Sequence, residues 1–223
     1  MAQPVVSNSR RLSILSRDPG SLSDEDARIV RGLRAGVEVA YEELIERFEH
    51  PLYALMYRLV GNQDDASDLV QEVFVKVFRG VNSFREQCSL RTWIYRIAVN
   101  EVRNHRRWSF RHKRNEIPIE KGLADADHAP DCPRDTGRSP YDCALEKENR
   151  SLIDQALSRV KPNFRLAVIL RDIDNLSYEE IAHVMQVSLG TVKSRILRGR
   201  ECLRKELTER LERTVVEAFT YGN

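Results

Sequence analysis

Apolar residues recur at helical spacing through two long stretches of the chain. The first covers residues 24–114 and the second residues 145–213, and in both the apolar positions fall three and four residues apart, as in amphipathic helices. No segment shows a convincing two-residue alternation, which would be typical of a strand. The pattern therefore predicts an all-α protein with two small helical domains.

Breaks in the apolar stripes divide the first stretch into helices. One stripe ends before Pro51, where the sequence predicts a new helix, because proline fits the first turn of a helix. Gly61–Asn62 ends that helix, and the next has an apolar face over 64–78. Glycine, asparagine and serine predict a loop over 79–90. A further helix is predicted from about 91 to 108.

The segment 176–200 reads as two short helices joined by a tight turn. Ser177 can cap the first helix, and Glu180 three residues later completes a capping box. Ser188 can cap the second helix. This pattern indicates a helix-turn-helix whose second helix enters the DNA major groove, although an ordinary helical hairpin with a solvated basic face would look similar. The cations of the second helix are Lys193, Arg195, Arg198, Arg200, Arg204 and Lys205.

Three segments lack helical periodicity or fall outside the two domains. Residues 1–23 are polar and interrupted by proline and glycine, which predicts a flexible arm. Residues 115–144 are rich in proline and acidic residues, which predicts a flexible acidic linker. Residues 214–223 form a short tail, which we expect to leave no room for a third regulatory domain.

The formal net charge is +2, but positive and negative residues are strongly segregated along the chain, with positive runs at 103–114 and 193–205. Local charge rather than the total decides whether a polyanion binds, so each domain has a candidate nucleic-acid surface. No apolar run approaches the ~20 residues needed to cross a bilayer, and the N-terminus lacks the apolar core of a signal peptide. We therefore expect a cytoplasmic protein with reduced cysteines.

Neither metal binding nor catalysis is indicated. His128, Cys132 and Cys143 fall together in the predicted linker, but their spacing matches no well-formed structural zinc site. The chain has no nucleophile elbow, phosphate-binding glycine loop or zinc-protease motif. We expect no cofactor, no metal, no small-molecule substrate and no enzymatic activity.

Three blocks occur in a specific order: DDASDLVQEVFVKVF at 64–78, TWIYRIAVNEVRNHRR at 92–107 and LSYEEIAHVMQVSLGTVKSRILRGRECLR at 176–204. In this respect the chain resembles the group IV, extracytoplasmic-function sigma factors of the bacterial sigma-70 family. The resemblance covers about residues 24–210. It implies a sigma-2 domain over 24–114, which recognises and opens the minus-ten promoter element, and a sigma-4 domain over 145–213, which reads the minus-thirty-five element.

The resemblance also implies a surface on the helix at 64–78 that docks on the β′ clamp of RNA polymerase. Acidic residues at the start of a helix are also explained by the helix dipole alone, so the sequence leaves both interpretations open. The residues implied in docking are Asp65, Asp68, Gln71, Glu72 and Phe74.

For the minus-ten element, the resemblance implies contacts from the block at 91–107 and from the preceding loop. An amide at Asn100 can read a base edge, Tyr95 could stack on an unpaired base, and Trp93 fits a core position better. The loop would capture an extruded base through Asn82, Ser83 and Phe84. The implied phosphate contacts are Arg91, Arg96, Arg103, Arg106 and Arg107.

For the minus-thirty-five element, the implied contacts lie on the second helix of the helix-turn-helix. Gln186 stands where the family usually has a turn glycine, which costs roughly 1 kcal/mol in a left-handed conformation. Arg198 and Arg200 are expected to grip phosphate. The remaining implied contacts are Ser188, Thr191, Lys193, Ser194 and Arg195.

The implied partners are the RNA polymerase core, through its β′ clamp and β flap, duplex and single-stranded promoter DNA, and an anti-sigma factor that could hold the chain at the inner membrane. The acidic linker would occupy basic surface in the polymerase cleft, or would be a solvated spacer. Two other functions remain to be weighed: a free-standing helix-turn-helix regulator with a sensor domain, and a protein that sequesters a partner. Basic runs in both domains favour the sigma factor over either.

Overall fold

The computed structural model describes the backbone of residues 22–112 and 140–221, and the side chains of 22–109, 148–210 and 212. No strand occurs in these ranges, which confirms the all-α prediction for the described part of the chain. The first range contains α1 (Asp24–Arg34), α2 (Glu38–Val60), α3 (Gln63–Gly80), a 3-10 turn (Val81–Ser83) and α4 (Leu90–His112). The second contains α5 (Pro140–Arg159), α6 (Pro162–Val168), a π-helical turn (Ile169–Ile173), α7 (Tyr178–Met185) and α8 (Leu189–Tyr221).

The helices α1 to α4 pack around an apolar core. Leu44, Val73 and Ile94 come from three different helices and are completely shielded from solvent. As predicted, α2 ends at Gly61, whose left-handed φ of 74° only glycine adopts without strain. Asn62 then caps α3, because its side chain accepts the Asp65 N–H at 3.0 Å.

The prediction of a new helix at Pro51 is wrong, since α2 runs through this residue without a break. Proline inside a helix removes one backbone hydrogen bond and costs about 3 kcal/mol. Phe48 and Leu52 on either side of it are both buried in the core. Each fully buried side chain of this size contributes roughly 1.5–3 kcal/mol, so tertiary packing outweighs the local preference for a break.

The second domain is built around α6 and α8, which pack closely, with α5 and α7 against α8. Its first helix begins at Pro140, five residues before the predicted boundary, because proline fits the first helical turn. The predicted boundary at Pro162 is confirmed as the start of α6. Helix α8 continues to Tyr221, so the residues predicted as a tail extend the recognition helix up to that point.

The two domains are in contact, and the largest contact joins α4 to α7. Buried apolar residues of both domains form one continuous cluster, which runs from Ile94 and Val99 on α4 to Ile181 and Met185 on α7. Helix α2 also touches α5 and α6. The second domain therefore lies directly on the helix that carries the predicted minus-ten residues.

Several predictions fall outside the described residues. These are most of the arm at 1–23, most of the linker at 115–144, and the cluster containing His128 and Cys132. Within the described residues, no set of three or more His, Cys, Asp or Glu side chains is positioned to hold a metal ion. In those same residues, no helix combines the length and apolar character that a membrane span requires.

Candidate nucleic-acid interface

Several polar side chains of α4 are exposed or half-buried. Arg106 and Arg107 are exposed near the end of the helix, while Arg96 and Asn100 are half-buried. Arg103 Nη1 donates to Asn100 Oδ1 over a long 3.4 Å. The Asn100 side chain therefore lies on the same face of α4 as a guanidinium that could contact phosphate.

The second domain contacts α4 between Arg91 and Arg103. Arg91 Nη2 donates to the Asp174 carbonyl oxygen at 2.7 Å, and its guanidinium lies 5.2 Å from the centre of the Tyr95 ring. Tyr95 is completely buried. Arg103 Nη2 donates to the Met185 carbonyl oxygen at 3.1 Å. Three side chains expected to contact the minus-ten element are therefore used inside the chain, and Tyr95 presents no ring face for stacking.

The loop between α3 and α4 exposes only two of its three predicted base-capture residues. Asn82 and Ser83 are exposed, and Ser83 Oγ donates to the Gly80 carbonyl at 2.7 Å. Phe84 is only 4% exposed, and its ring centre lies 4.8 Å from that of Trp93. Phe84 was expected to face an extruded base. In this structure its ring instead packs against Trp93 in the core, so it is not available to a base. The prediction that Trp93 belongs to the core is confirmed.

Arg34 at the end of α1 holds this loop in place, and sequence reasoning missed it. Its Nη2 donates to the Phe84 carbonyl at 2.6 Å, its Nη1 pairs with Glu86 at 2.8 Å, and its Nε reaches the Val81 carbonyl at 3.4 Å. These partners lie about fifty residues away along the chain. No periodicity or motif connects positions so far apart, so the sequence carried no signal for this contact.

Four of the five residues predicted to dock on polymerase are exposed or half-buried on α3. Asp68, Gln71 and Glu72 are exposed, and Asp65 is half-buried. Phe74 is only 8% exposed and stacks on Phe78 with ring centres 6.0 Å apart. It therefore belongs to the core beneath the exposed residues. A groove of about 300 Å³ lies beside the exposed residues, between α2 and α3. Its lining residues are Glu49, His50, Tyr53, Ser67, Val70 and Gln71.

The helix-turn-helix forms with both predicted caps. The Glu180 N–H donates to Ser177 Oγ at 3.1 Å and the Ser177 N–H donates to Glu180 Oε2 at 2.8 Å, which completes the capping box on α7. Gln186 ends α7 in the left-handed conformation, with φ 57° and ψ 51°. The Thr191 N–H donates to Ser188 Oγ at 3.3 Å at the start of α8. The sequence therefore predicted this motif almost to the residue.

The first turns of α8 carry the predicted minus-thirty-five residues. Ser188, Lys193, Ser194 and Arg198 are exposed, whereas Thr191 and Arg195 are half-buried. Arg200 differs from expectation, because its guanidinium pairs with the Asp172 carboxylate and its Nε donates to Asp172 Oδ2 at 2.9 Å. This hydrogen bond raises the pKa of Arg200. Arg200 therefore helps to hold α8 against the π-helical turn Ile169–Ile173, which contains Asp172.

Two basic surfaces on two helical domains, one of them a helix-turn-helix, are typical of a protein that binds nucleic acid. Comparison with known families agrees with this class. Residues 44–109 match sigma-70 region 2, and residues 150–203 match sigma-70 region 4. The chain belongs to the sigma-70 family, in its extracytoplasmic-function group, and it directs promoter-specific initiation of transcription as a subunit of RNA polymerase.

Two curated relatives match this chain over most of their own length. The chain is similar to the RNA polymerase sigma-H factor of Pseudomonas aeruginosa, at 34% identity over 82% of this chain and 94% of the relative. It is also similar to the sigma-E factor of Escherichia coli K12, at 33% identity over 80% of this chain and 92% of the relative. Among solved structures, the sigma factor RpoE of Bartonella quintana, bound to the anti-sigma factor NepR, shares the fold with a TM-score of 0.58. The identity is 24%, and the match covers 75% of this chain and 96% of the neighbour.

Proposed function

We propose that the two domains divide promoter recognition between them. Residues 24–114 would bind core polymerase and read and melt the minus-ten element, and residues 145–213 would read the minus-thirty-five element. The observation that carries this proposal is the presence of a separate exposed cationic surface on each domain, with Arg106 and Arg107 on α4 and Lys193 and Arg198 on α8. A regulator that reads one operator needs only one such surface.

In the first domain, the arginines of α4 would hold the backbone while Asn100 reads one base edge. Phosphate contacts fix register without sequence information, and an amide supplies both a donor and an acceptor to a base. The loop held by Arg34 would receive an extruded base at Asn82 and Ser83. A rigid loop suits this role, because an extruded base must recover its lost stacking and pairing in a preformed pocket.

In the second domain, the start of α8 would enter the major groove. Lys193 and Ser194 lie in the first turns of the recognition helix, which is the part that reaches base edges in this motif. The Arg200–Asp172 pair joins α8 to the π-helical turn before α7, and α7 packs on α8, so the recognition helix is held at a fixed angle. A fixed angle lets a few contacts position the polymerase without holding DNA tightly on their own.

Polymerase docking would use Asp65, Asp68, Gln71 and Glu72 on α3, beside the groove against α2. The Bartonella quintana relative was solved with an anti-sigma factor, and we extend such control to this chain, acting in a stress or envelope response. The protein would then work in the cytoplasm, where its polymerase partner is, and an anti-sigma factor could retain it at the inner membrane.

Run-off transcription tests this division of labour. Purified chain and core polymerase are incubated with a promoter library that is randomised at both elements. Initiation should depend on the chain and should select one sequence at each element. Substituting Gln71→Ala and Glu72→Ala together should lower the affinity for core. Core-dependent initiation that selects no minus-thirty-five sequence would contradict the proposed role of the second domain.

Lys193→Ala should weaken binding of the chain to its selected minus-thirty-five duplex and reduce the dependence of affinity on salt. Each phosphate contact contributes about 0.9 to the slope of log K against log salt concentration, so the slope should fall by about one. The matched control is Lys205→Ala, an exposed lysine on α8 about 18 Å further along the helix. Equal slopes for wild type and Lys193→Ala in a fluorescence titration would exclude a phosphate contact at this position.

A further inference from the structure

Trp108, near the end of α4, presents a large aromatic ring to solvent. Its side chain is 57% exposed, whereas that of Trp93 on the same helix is 6% exposed. Tryptophan is highly buried on average. A single exposed apolar residue is nevertheless common on protein surfaces, so the surroundings of Trp108 decide what it could bind.

The surroundings of Trp108 along α4 are cationic. Arg106 and Arg107 directly precede it in the sequence, and both are exposed. Arg103 lies about one turn earlier, and burial, followed by the positive charges of Arg195 and Arg107, lowers its pKa. Like charges are therefore concentrated at this end of α4, where they would attract a polyanion.

The side of α4 that carries the Trp108 ring also contacts α3. The ring centres of Trp108 and His105 lie 6.5 Å apart with an interplanar angle of 25°, and His105 Nε2 lies 3.7 Å from Asp65 Oδ1 on α3. Glu101, two turns before Trp108, pairs with Lys76 on α3, which balances the charge of this nearby carboxylate. Trp108 therefore lies at the border between the nucleic-acid face of α4 and the docking surface on α3.

Helical spacing places Trp108 within reach of a strand that crosses Asn100. Eight residues of α-helix correspond to about 12 Å along the axis and a rotation of about 80° around it. Stacked bases of one strand are about 3.4 Å apart. One strand could therefore contact Asn100 and Trp108 with bases about three or four nucleotides apart.

The aromatic side chains expected to receive a base are not accessible to one. Tyr95 is completely buried, and Phe84 is only 4% exposed. Of the Trp, Tyr and Phe side chains described on α4, only that of Trp108 is exposed. A ring of this kind stacks on single-stranded nucleic acid, because every base has a flat face that becomes accessible when the base leaves the duplex stack.

We infer that Trp108 is the aromatic platform of α4 and stacks on an unpaired base of the opened promoter strand. The exposed Arg106 and Arg107 contact the phosphates beside it. Stacking is tolerant of sequence, so Trp108 stabilises the unpaired strand while Asn100 reads a base edge. The assignment of this strand to the minus-ten element rests on the proposed function, whereas the stacking on an unpaired base does not.

Two neutral substitutions in the full chain test the inference. Trp108→Leu keeps an apolar side chain but removes the ring, whereas Trp108→Phe is the matched control that keeps a ring face. Neither changes the charge, so any difference between them in DNA binding comes from the aromatic face. Circular dichroism and thermal unfolding establish that each variant is folded.

Binding of a fluorescein-labelled single strand of about 20 nucleotides of mixed sequence, long enough to cover one or more single-strand sites, is measured without polymerase. Affinity should fall about tenfold in Trp108→Leu and stay within about twofold of wild type in Trp108→Phe, because base stacking needs a ring face. The duplex formed by the same strand and its complement should bind wild type and both variants equally. In the duplex every base is already stacked on its neighbours.

Tryptophan fluorescence gives an independent measurement, because the chain has only two tryptophans. The unlabelled single strand should quench the emission of wild type, since a stacked base lies directly against the indole ring. It should leave the emission of Trp108→Phe unchanged, because the remaining Trp93 is buried. This comparison does not use Trp108→Leu, so it tests the inference even if that variant misfolds.

The outcomes separate this inference from the proposed function. Weaker single-strand binding by Trp108→Leu alone, together with quenching of wild type, supports stacking. Equal single-strand affinities of Trp108→Leu and wild type, or an equal loss with the duplex, would overturn it, even if run-off transcription selects a sequence at both elements. A loss of affinity for core polymerase with unchanged single-strand binding would make Trp108 a protein contact instead. Stacking by a chain that initiates no transcription would overturn only the assignment to the minus-ten element.

Discussion

Gly199→Ala is expected to destabilise the second domain by about 1–3 kcal/mol, because an added methyl group there has no space. A Cβ at this position would lie 2.5 Å from Val168 Cγ2 and 2.9 Å from the Phe164 carbonyl oxygen. The valine side chain can rotate, but the carbonyl belongs to the backbone of α6 and cannot. Alanine gains only about 1 kcal/mol of helix propensity over glycine, which does not offset the clash.

Gly190→Ala is the matched control, because it lies on the same helix and its added Cβ would have no neighbour within 4 Å. We expect this variant to be as stable as wild type or slightly more stable. Urea unfolding followed by circular dichroism measures both free energies. A Gly199→Ala variant as stable as Gly190→Ala would mean that α6 moves away from α8 at little cost. The close packing of these helices would then not fix the recognition helix.

The parts of the structure that the sequence predicted well are those decided by local chemistry. Ser177 and Glu180 form a capping box within one helical turn, and Gly61 ends α2 through its own backbone freedom. Gln186 shows that the helix-turn-helix forms without a turn glycine, at the modest cost of a left-handed glutamine. Such features depend on neighbours in sequence, so the sequence alone is sufficient to find them.

The features that the sequence could not predict depend on packing between distant segments. Pro51 was expected to start a helix, but burial of the residues around it keeps α2 continuous. The sequence predicts that Tyr95 could stack on an unpaired base, but its ring is buried beside Asp174, about eighty residues further along the chain. Arg34 binds a loop about fifty residues away. Each of these features depends on contacts between residues that are far apart in sequence. Apolar periodicity carries no information about such contacts.

The free energy of unfolding should fall as pH rises from about 4 to about 6, through the titration of Asp174. Burial raises the pKa of this carboxyl from 3.8 to about 6, although Arg91 on α4 and Arg58 on α2 act in the opposite direction. Tyr95 faces it from α4, and the nearby carboxylate adds to the effect of burial in raising the pKa of Tyr95. Asp154 on α5 lies on the far side of Arg58, to which it is hydrogen-bonded.

The direction follows from proton binding in the two states. Because the pKa is raised in the folded protein, the folded state retains a proton that the unfolded state has already lost between these pH values. Stability from this group is therefore complete below about pH 4 and is lost as pH rises through about 6. One unit of pKa corresponds to about 1.4 kcal/mol, so the shift amounts to about 3 kcal/mol at most.

Asp174→Asn isolates this contribution, because asparagine keeps the shape of the side chain and carries no charge at any pH. Urea unfolding of both proteins between pH 4.5 and 7.5 should show the variant more stable than wild type at neutral pH, with the difference shrinking as the solution is acidified. Asp172→Asn is the control, since that carboxylate is paired with Arg200 and its loss should reduce stability instead. A difference between wild type and Asp174→Asn that stays constant across this range would show that Asp174 is ionised in the folded protein without penalty. The contact between α4 and the helix-turn-helix would then be open to water at its centre.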